Sequence, residues 1–328
     1  MAESKKRYSE PRTILQPDLQ PDTTTDTMTT EKYIQKLLSA LDEEKQETIK
    51  TIIRDFIIHE LQTYKTIFEK YHILIQFDDT IMRRADADNI YKSLKEMTKD
   101  ITKDILLVLY SFGGDIASAY LISKLCREFT TGKVVVAIPR LAKSAATLIC
   151  CGADEIHMGS LSELGPIDPQ IIGLPALGLK NTIKQIAETS SLYPHSSTLF
   201  ADYLAKTVKP MDLGYFDRIV ESASQSAQRL LAKRCKKMRH DQIEKLANRL
   251  VYAYNDHGFV IDKAEATEIF GEDVIKIDTE EYLFSNAVYS LFSSISYICK
   301  SKYKFYFIGS VDSSQSVGLL ISHNNTNG

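Results

Sequence analysis

A chain of 328 residues with 40 lysines and arginines against 43 aspartates and glutamates, 44% hydrophobic and 25% charged, has the make-up of an ordinary globular protein. Collagen-like and wholly disordered classes are excluded, and a formal net charge of −3 supplies no global attraction to nucleic acid or to an anionic bilayer. The five cysteines, Cys126, Cys150, Cys151, Cys235 and Cys299, contain no C-x-x-C pair, so neither a disulfide framework nor a zinc site is signalled and a reducing compartment fits.

At the start of the chain Lys5, Lys6 and Arg7 are followed only by Ile14 and Leu15 before Pro17, too little for a secretory leader, so a cytoplasmic location is expected. Residues 1–30 hold three of the nine prolines and seven threonines with few large apolar side chains, which predicts a disordered tail. From Glu31 to about Lys70, apolar residues such as Tyr33, Leu37, Leu41, Ile49, Ile53, Phe56 and Ile57 recur at helical intervals. This helical arm, 31–70, reads as a packing or oligomerisation element or as a plain core helix. Strands are then predicted at His72–Phe77, Ile105–Tyr110 and Val134–Ile138, alternating with helices near Ala85–Met97, Asp115–Phe129 and Ser144–Cys151. Nearly continuous apolar strands between helices describe an α/β fold with a parallel sheet covered on both faces.

Residues 200–256 read as helical with a break at Pro210 and Gly214, followed by short strands at Val274–Ile277 and near Phe305–Ile308. Tyr282–Cys299 lacks ionic residues but carries Ser285, Asn286, Ser290 and further serines, a poor bilayer span, so a membrane role is not expected. Six basic residues between Arg229 and Arg239 have no interleaved aromatics and read as a solvated helix face, with no nucleic-acid partner expected.

Two segments carry potential chemistry. Ser111–Asp115 places Gly113 and Gly114 between a buried strand and a helix, where free N–H groups suit an oxyanion or a phosphate, although a plain turn has the same look. Ile138–Leu148 places Ser144 at a second strand-to-helix junction. There a serine serves either as a helix cap or as an exposed nucleophile. Lys143 precedes it, but adjacent side chains at a helix start point about 100° apart, so Lys143 is not expected to reach the Ser144 hydroxyl.

Taken together, "SFGGD", "AKSAATLICCGADEIHMG" and "SELGPIDPQ" over about Ile105–Gln170 resemble the serine dehydrogenase proteinase family, a branch of the signal peptide peptidase A and Clp protease superfamily. A fainter echo lies at His257–Ile261 with Lys263–Ala266. The resemblance implies a crotonase/Clp-like ββα superhelix core, placed at 71–280; the first hundred residues, with the helical arm, and the last fifty carry no such resemblance, and the helical C-terminal additions end in an extension, 281–328, to which no role is assigned. It also implies a serine peptidase with Ser144 as nucleophile and the amides of Gly113 and Gly114 at the oxyanion turn. Phe112 stands where relatives commonly have proline.

The superfamily's base is a histidine or a neutral lysine, and Lys180 is the choice here, with Lys184, His257 and Asp168 as alternatives. The Clp-type histidine would fall near Asp168, so that triad looks absent. No metal or organic cofactor is implied. The expected partners are a peptide or protein substrate and further copies of the chain in a homo-oligomer. A crotonase-type acyl-CoA enzyme and a catalytically inactive scaffold of the same fold are the rival readings.

Overall fold

The computed structural model describes residues 29–97, 100–171, 174–207, 210–234, 238–254, 256–313 and 315–322. All but the last two residues of the expected tail, 1–30, lie outside the described residues. Three helices come first: α1 (Thr30–Glu43), α2 (Gln46–Leu61) and α3 (Lys65–Lys70). The Thr29 hydroxyl caps α1 by accepting the Lys32 N–H, and Glu44 closes it in the left-handed region at φ 58°.

The α/β alternation follows as β1 (Tyr71–Asp78), α4 (Arg84–Met97), β2 (Asp104–Ser111), α5 (Ile116–Glu128), β3 (Val134–Ile138), β4 (Leu141–Ala142), α6 (Ala145–Cys150), β5 (Glu155–Met158) and β6 (Glu163–Leu164). After a small hairpin of β7 (Gln170–Ile171) and β8 (Leu174–Pro175) come the helices α7 (Ala176–Leu192), α8 (Ser197–Thr207), α9 (Pro210–Arg234), α10 (His240–Tyr252) and α11 (Lys263–Phe270). The chain closes with β9 (Ile275–Ile277), α12 (Glu280–Cys299), β10 (Tyr303–Gly309) and β11 (Val317–Ile321).

The main sheet runs β11-β10-β1-β2-β3-β5-β9, with β4 pairing to β2 and β6 to β4 off this path. Strands β1, β2, β3, β5 and β9 are parallel, while β10 and β11 add antiparallel at the β1 edge. Period-two alternation divides the strands between two cores. Leu74, Leu107, Leu109, Val136 and Ile138 face α4, α5, α6, α9 and α10, whereas Ile73, Ile75, Phe77, Leu106 and Val108 face α1, α2 and α12. The arm is therefore core: Leu37, Ile49, Ile53 and Ile57 are fully buried together with Phe284 and Phe292 of α12. That second face is large and apolar, and helices from the two ends of the chain are what remove it from water.

Gly214 does not break a helix as expected but lies within the 25-residue α9. One glycine costs only about 1 kcal/mol in a helix. Val220, Ala223, Ala227, Leu230 and Leu231 further along α9 are buried in the same core as Ile243, Ala247 and Leu250 of α10, and this burial outweighs the glycine cost. Strands β5 and β11 were not anticipated, because four or five residues bounded by polar groups leave little periodic signal. Among the described residues, no helix is long and apolar enough to cross a membrane.

Candidate active site

At the carboxyl ends of β1, β2 and β3, loops and helix starts surround a cavity of about 660 Å³ lined by Asp79, Thr80, Ile81, Phe112, Gly113, Gly114, Ser144, Gln170, Ile219 and His257, among others. Ligands gather at this edge of open α/β sheets. After β2 the chain turns at Gly113 (φ 97°) and Gly114 (φ 146°), then enters α5 under Asp115, whose carboxylate accepts the Ser118 N–H at 2.8 Å. The turn is wedged between two pieces of backbone. A Cβ on Gly113 would lie 2.6 Å from the Lys143 carbonyl oxygen, and one on Gly114 would lie 2.4 Å from the Met82 nitrogen. The Met82 N–H donates to the Gly113 carbonyl at 2.8 Å, and the Asp115 N–H donates to the Met82 carbonyl at 3.0 Å.

Ser144 sits at φ 51°, ψ −116°, at the start of α6, and its side chain makes no capping hydrogen bond. A non-glycine residue held there costs on the order of 1–3 kcal/mol and persists only where its neighbours over-determine it. Those neighbours are visible. The Lys143 N–H donates to the Ser111 carbonyl at 3.0 Å, the Glu163 N–H donates to the Arg140 carbonyl at 2.6 Å, and the Thr147 hydroxyl lies 2.7 Å from both the Ala142 and the Gly165 carbonyl oxygens, its one proton serving either. The Ser144 side chain opens on the cavity although the residue is only 8% exposed. The Gly113 N–H is taken by the Ser111 hydroxyl at 3.1 Å, whereas the Gly114 N–H has no acceptor among the described residues. Next to Gly113, where an added Cβ would lie 3.0 Å from the Ala145 nitrogen, the Ala145 N–H opens α6 and lacks an intrahelical partner, a donor that the motifs alone do not name. The signal was available in the residue's place directly after a serine at a helix start.

His257 lines the same cavity, and its Nδ1 lies 3.6 Å from Asp168 Oδ2. Both His257 Nδ1 and Asp168 Oδ1 are buried without a hydrogen-bond partner among the described residues. The two come from distant segments joined by an antiparallel bridge, with the Leu164 and Ile261 N–H groups exchanging bonds with each other's carbonyls at 2.9 and 3.0 Å. Lys143 reinforces that junction. Its ammonium donates to the Leu164 and Phe259 carbonyls at 3.2 Å each and pairs with Glu163 at 3.2 Å, and it makes no hydrogen bond to the Ser144 hydroxyl among the described residues.

Lys180 and Lys184 both lie on α7; the Lys180 side chain is outside the described residues. Lys184 is 76% exposed and pairs with Glu188 at 3.9 Å, a solvated surface cation. At the start of α4, burial pushes the Asp86 carboxyl up to about 6. Its Oδ2 accepts the Arg83 N–H at 2.8 Å, holding the turn that follows Met82.

Residues 35–264 match the family of ClpP-like SDH-type serine proteinases. Two curated relatives come from Methanocaldococcus jannaschii. The uncharacterized protein MJ0137 is 32% identical over 100 residues, 30% of this chain and 34% of that one. The uncharacterized protein MJ1495 is 26% identical over 149 residues, 45% and 49% of the two chains. The matched stretches thus span between about a third and a half of these relatives. Among solved structures, ClpP1 from Listeria monocytogenes is similar at 16% identity, covering 67% of this chain and 99% of that one, with a TM-score of 0.39. A serine-to-alanine mutant of the 1510-N membrane-bound stomatin-specific protease is similar at 13% identity, covering 66% and 84%, with a TM-score of 0.42. The family match runs through the glycine turn, Ser144, Asp168 and His257 alike and covers well over half of the residues, and on that ground the chain belongs to the ClpP-like SDH-type serine proteinases.

Proposed function

We propose that the protein hydrolyses peptide bonds through an acyl-enzyme on Ser144, with His257 as base, Asp168 as its orienting carboxylate, and the Gly114 and Ala145 amides as oxyanion donors. The observation that carries this reading is the meeting of a strained, uncapped Ser144 and His257 on one cavity, with a buried carboxylate behind the imidazole. With Nδ1–H directed at Asp168, Nε2 holds the lone pair that takes the Ser144 proton as Oγ attacks the carbonyl carbon. The oxygen of the tetrahedral intermediate gains its negative charge beside the two amides. His257 then returns the proton to the leaving amine, and water repeats the cycle to release the carboxylate. The 3.6 Å gap to Asp168 is longer than a hydrogen bond, and such contacts tighten when substrate binds. Glycine at 113 supplies room beside Ser144 rather than a donor, since its N–H already serves Ser111. A cavity of about 660 Å³ takes a short stretch of peptide, so the substrate class is an extended peptide or an unfolded protein segment.

The test is labelling by a fluorophosphonate with the modified residue located by mass spectrometry, alongside turnover of casein and peptides. Ser144→Ala is expected to abolish both while leaving circular dichroism unchanged. His257→Ala is expected to lose about 10²–10⁴-fold in turnover, the usual contribution of a general base, and to regain part of it with added imidazole. Lys180→Ala and Lys184→Ala are expected to stay active. A dead Lys180→Ala with an active His257→Ala would transfer the base to the lysine. Equal turnover by wild type and Ser144→Ala would remove the nucleophile, and binding of acyl-CoA thioesters in its place would support the crotonase reading.

A further inference from the structure

The connection leading to Ser144 is also gripped from a part of the chain beyond the family match. Arg140 Nη1 donates to Asn286 Oδ1 at 2.5 Å and to the Pro139 carbonyl at 2.6 Å, and its guanidinium lies 4.4 Å from the centre of the Tyr289 ring. Asn286 and Tyr289 are three residues apart on α12, so one helical face presents both. A guanidinium that is both hydrogen-bonded and stacked is held in position as well as in orientation.

The same tyrosine continues toward the cavity. Its ring meets Tyr110 at 5.1 Å, and Tyr110 meets Phe112, the half-exposed cavity wall, edge-on at 6.1 Å. The helix is itself anchored at its start. The Thr279 hydroxyl pairs with His157 Nδ1 at 2.6 Å, and Glu281 accepts hydrogen bonds from Lys70 and Tyr71 at 2.8 and 2.7 Å. Four residues after Arg140, Ser144 holds a backbone conformation that exists only under constraint.

We propose that Asn286 and Tyr289 are positioning residues for the peptidase reaction. By holding Arg140 they fix the Arg140–Ser144 connection, and with it the Ser144 hydroxyl and the Ala145 amide. This inference rests on the assignment of Ser144 as nucleophile. The family-matched stretch, 35–264, then does not contain the whole apparatus, because the helix that braces its nucleophile comes later in the chain.

The experiment uses the full chain and measures fluorophosphonate labelling of Ser144 together with kcat and KM on a peptide. Tyr289→Leu and Asn286→Ala are expected to lower the labelling rate and kcat about 10- to 100-fold, the range that a small misplacement of reacting groups produces, with KM within about twofold. Tyr289→Phe keeps the ring face and is expected to stay within about twofold of wild type in all three. If Tyr289→Leu fails to fold, Asn286→Ala decides, since its half-buried side chain leaves no core cavity. Wild-type labelling and kcat in a folded Asn286→Ala or Tyr289→Leu overturn the inference and leave the Ser144 assignment standing. A loss that follows the melting temperature and vanishes on cooling also overturns it. Absence of labelling at Ser144 in the wild type overturns both.

Discussion

Gly114 has no room for a side chain: a Cβ there would stand 2.4 Å from the Met82 nitrogen and 2.6 Å from its oxygen, both backbone atoms that no rotamer change can move. At φ 146° the backbone also disfavours any L side chain. Gly114→Ala is therefore expected to shift the turn, withdrawing one oxyanion donor and lowering turnover about 10²–10³-fold, with the protein still folded by circular dichroism. A near-wild-type rate of Ser144 acylation in this variant would take the turn out of the mechanism. Among single residues, Ser144 and the two glycines stand out in the sequence because motif order marks them. The role of Lys143 as a staple between three segments, and the division of labour between the Gly113 and Gly114 amides, were not legible. The Lys143 partners lie 21 and 116 residues away, and the Ser111 hydroxyl, though two residues from Gly113, meets its amide only because of how the turn folds.

At the scale of elements, α12 is defined by its anchor as much as by its apolar face. Burial alone would raise the Glu281 carboxyl, but hydrogen bonds from Lys70 and Tyr71 outweigh it and hold the group down at about 2. Burial likewise lowers His157, its partner in the same cluster. A carboxyl depressed in the folded state contributes stability that is complete above its ordinary value of 4.5 and drains away as pH falls toward 2. A depressed imidazole acts in the same direction below its ordinary 6.5, because the unfolded chain takes up the proton first. Acid therefore loosens the start of α12.

Glu281→Gln is expected to cost about 1–3 kcal/mol at pH 7, discounted because Lys70 is half exposed. In urea titrations the difference from wild type should be constant above about pH 7, where the His157 imidazole is neutral in both states, and should vary with pH below that, shrinking as pH drops from about 4.5 toward 2. A difference independent of pH between 5 and 2.5 would show that the carboxylate charge contributes nothing there. The helix was visible in the sequence as an uncharged run. What it touches was not, since Arg140 and Glu281's partners carry no periodic signature.

Across the whole molecule, the two ends of the chain complete the sheet. Strand β10 pairs with β1 through Ile75, Gln76 and Phe77, and α1, α2 and α12 cover the face made by Ile73, Ile75, Phe77, Leu106 and Val108. A chain ending at Asp278 would expose the part of that face that α12 covers, together with the β1 edge, a patch that drives association. It is expected to aggregate or to lose its cooperative melting transition, and a monodisperse, cooperatively melting, active truncation would instead show that the chain up to Asp278 folds and works without α12, β10 and β11. The α/β alternation, the helical arm and the order of the motifs were determined by the sequence alone. Periodicity records how a segment meets the layer beside it, and spacing records which backbone turns glycine and serine occupy. The tertiary structure alone decided that the arm is core rather than appendage, that β10 and β11 extend the main sheet, and that His257 shares a cavity with Ser144. Those outcomes are pairings between segments tens to hundreds of residues apart, chosen by the burial of complementary faces, and no local pattern encodes the identity of a partner.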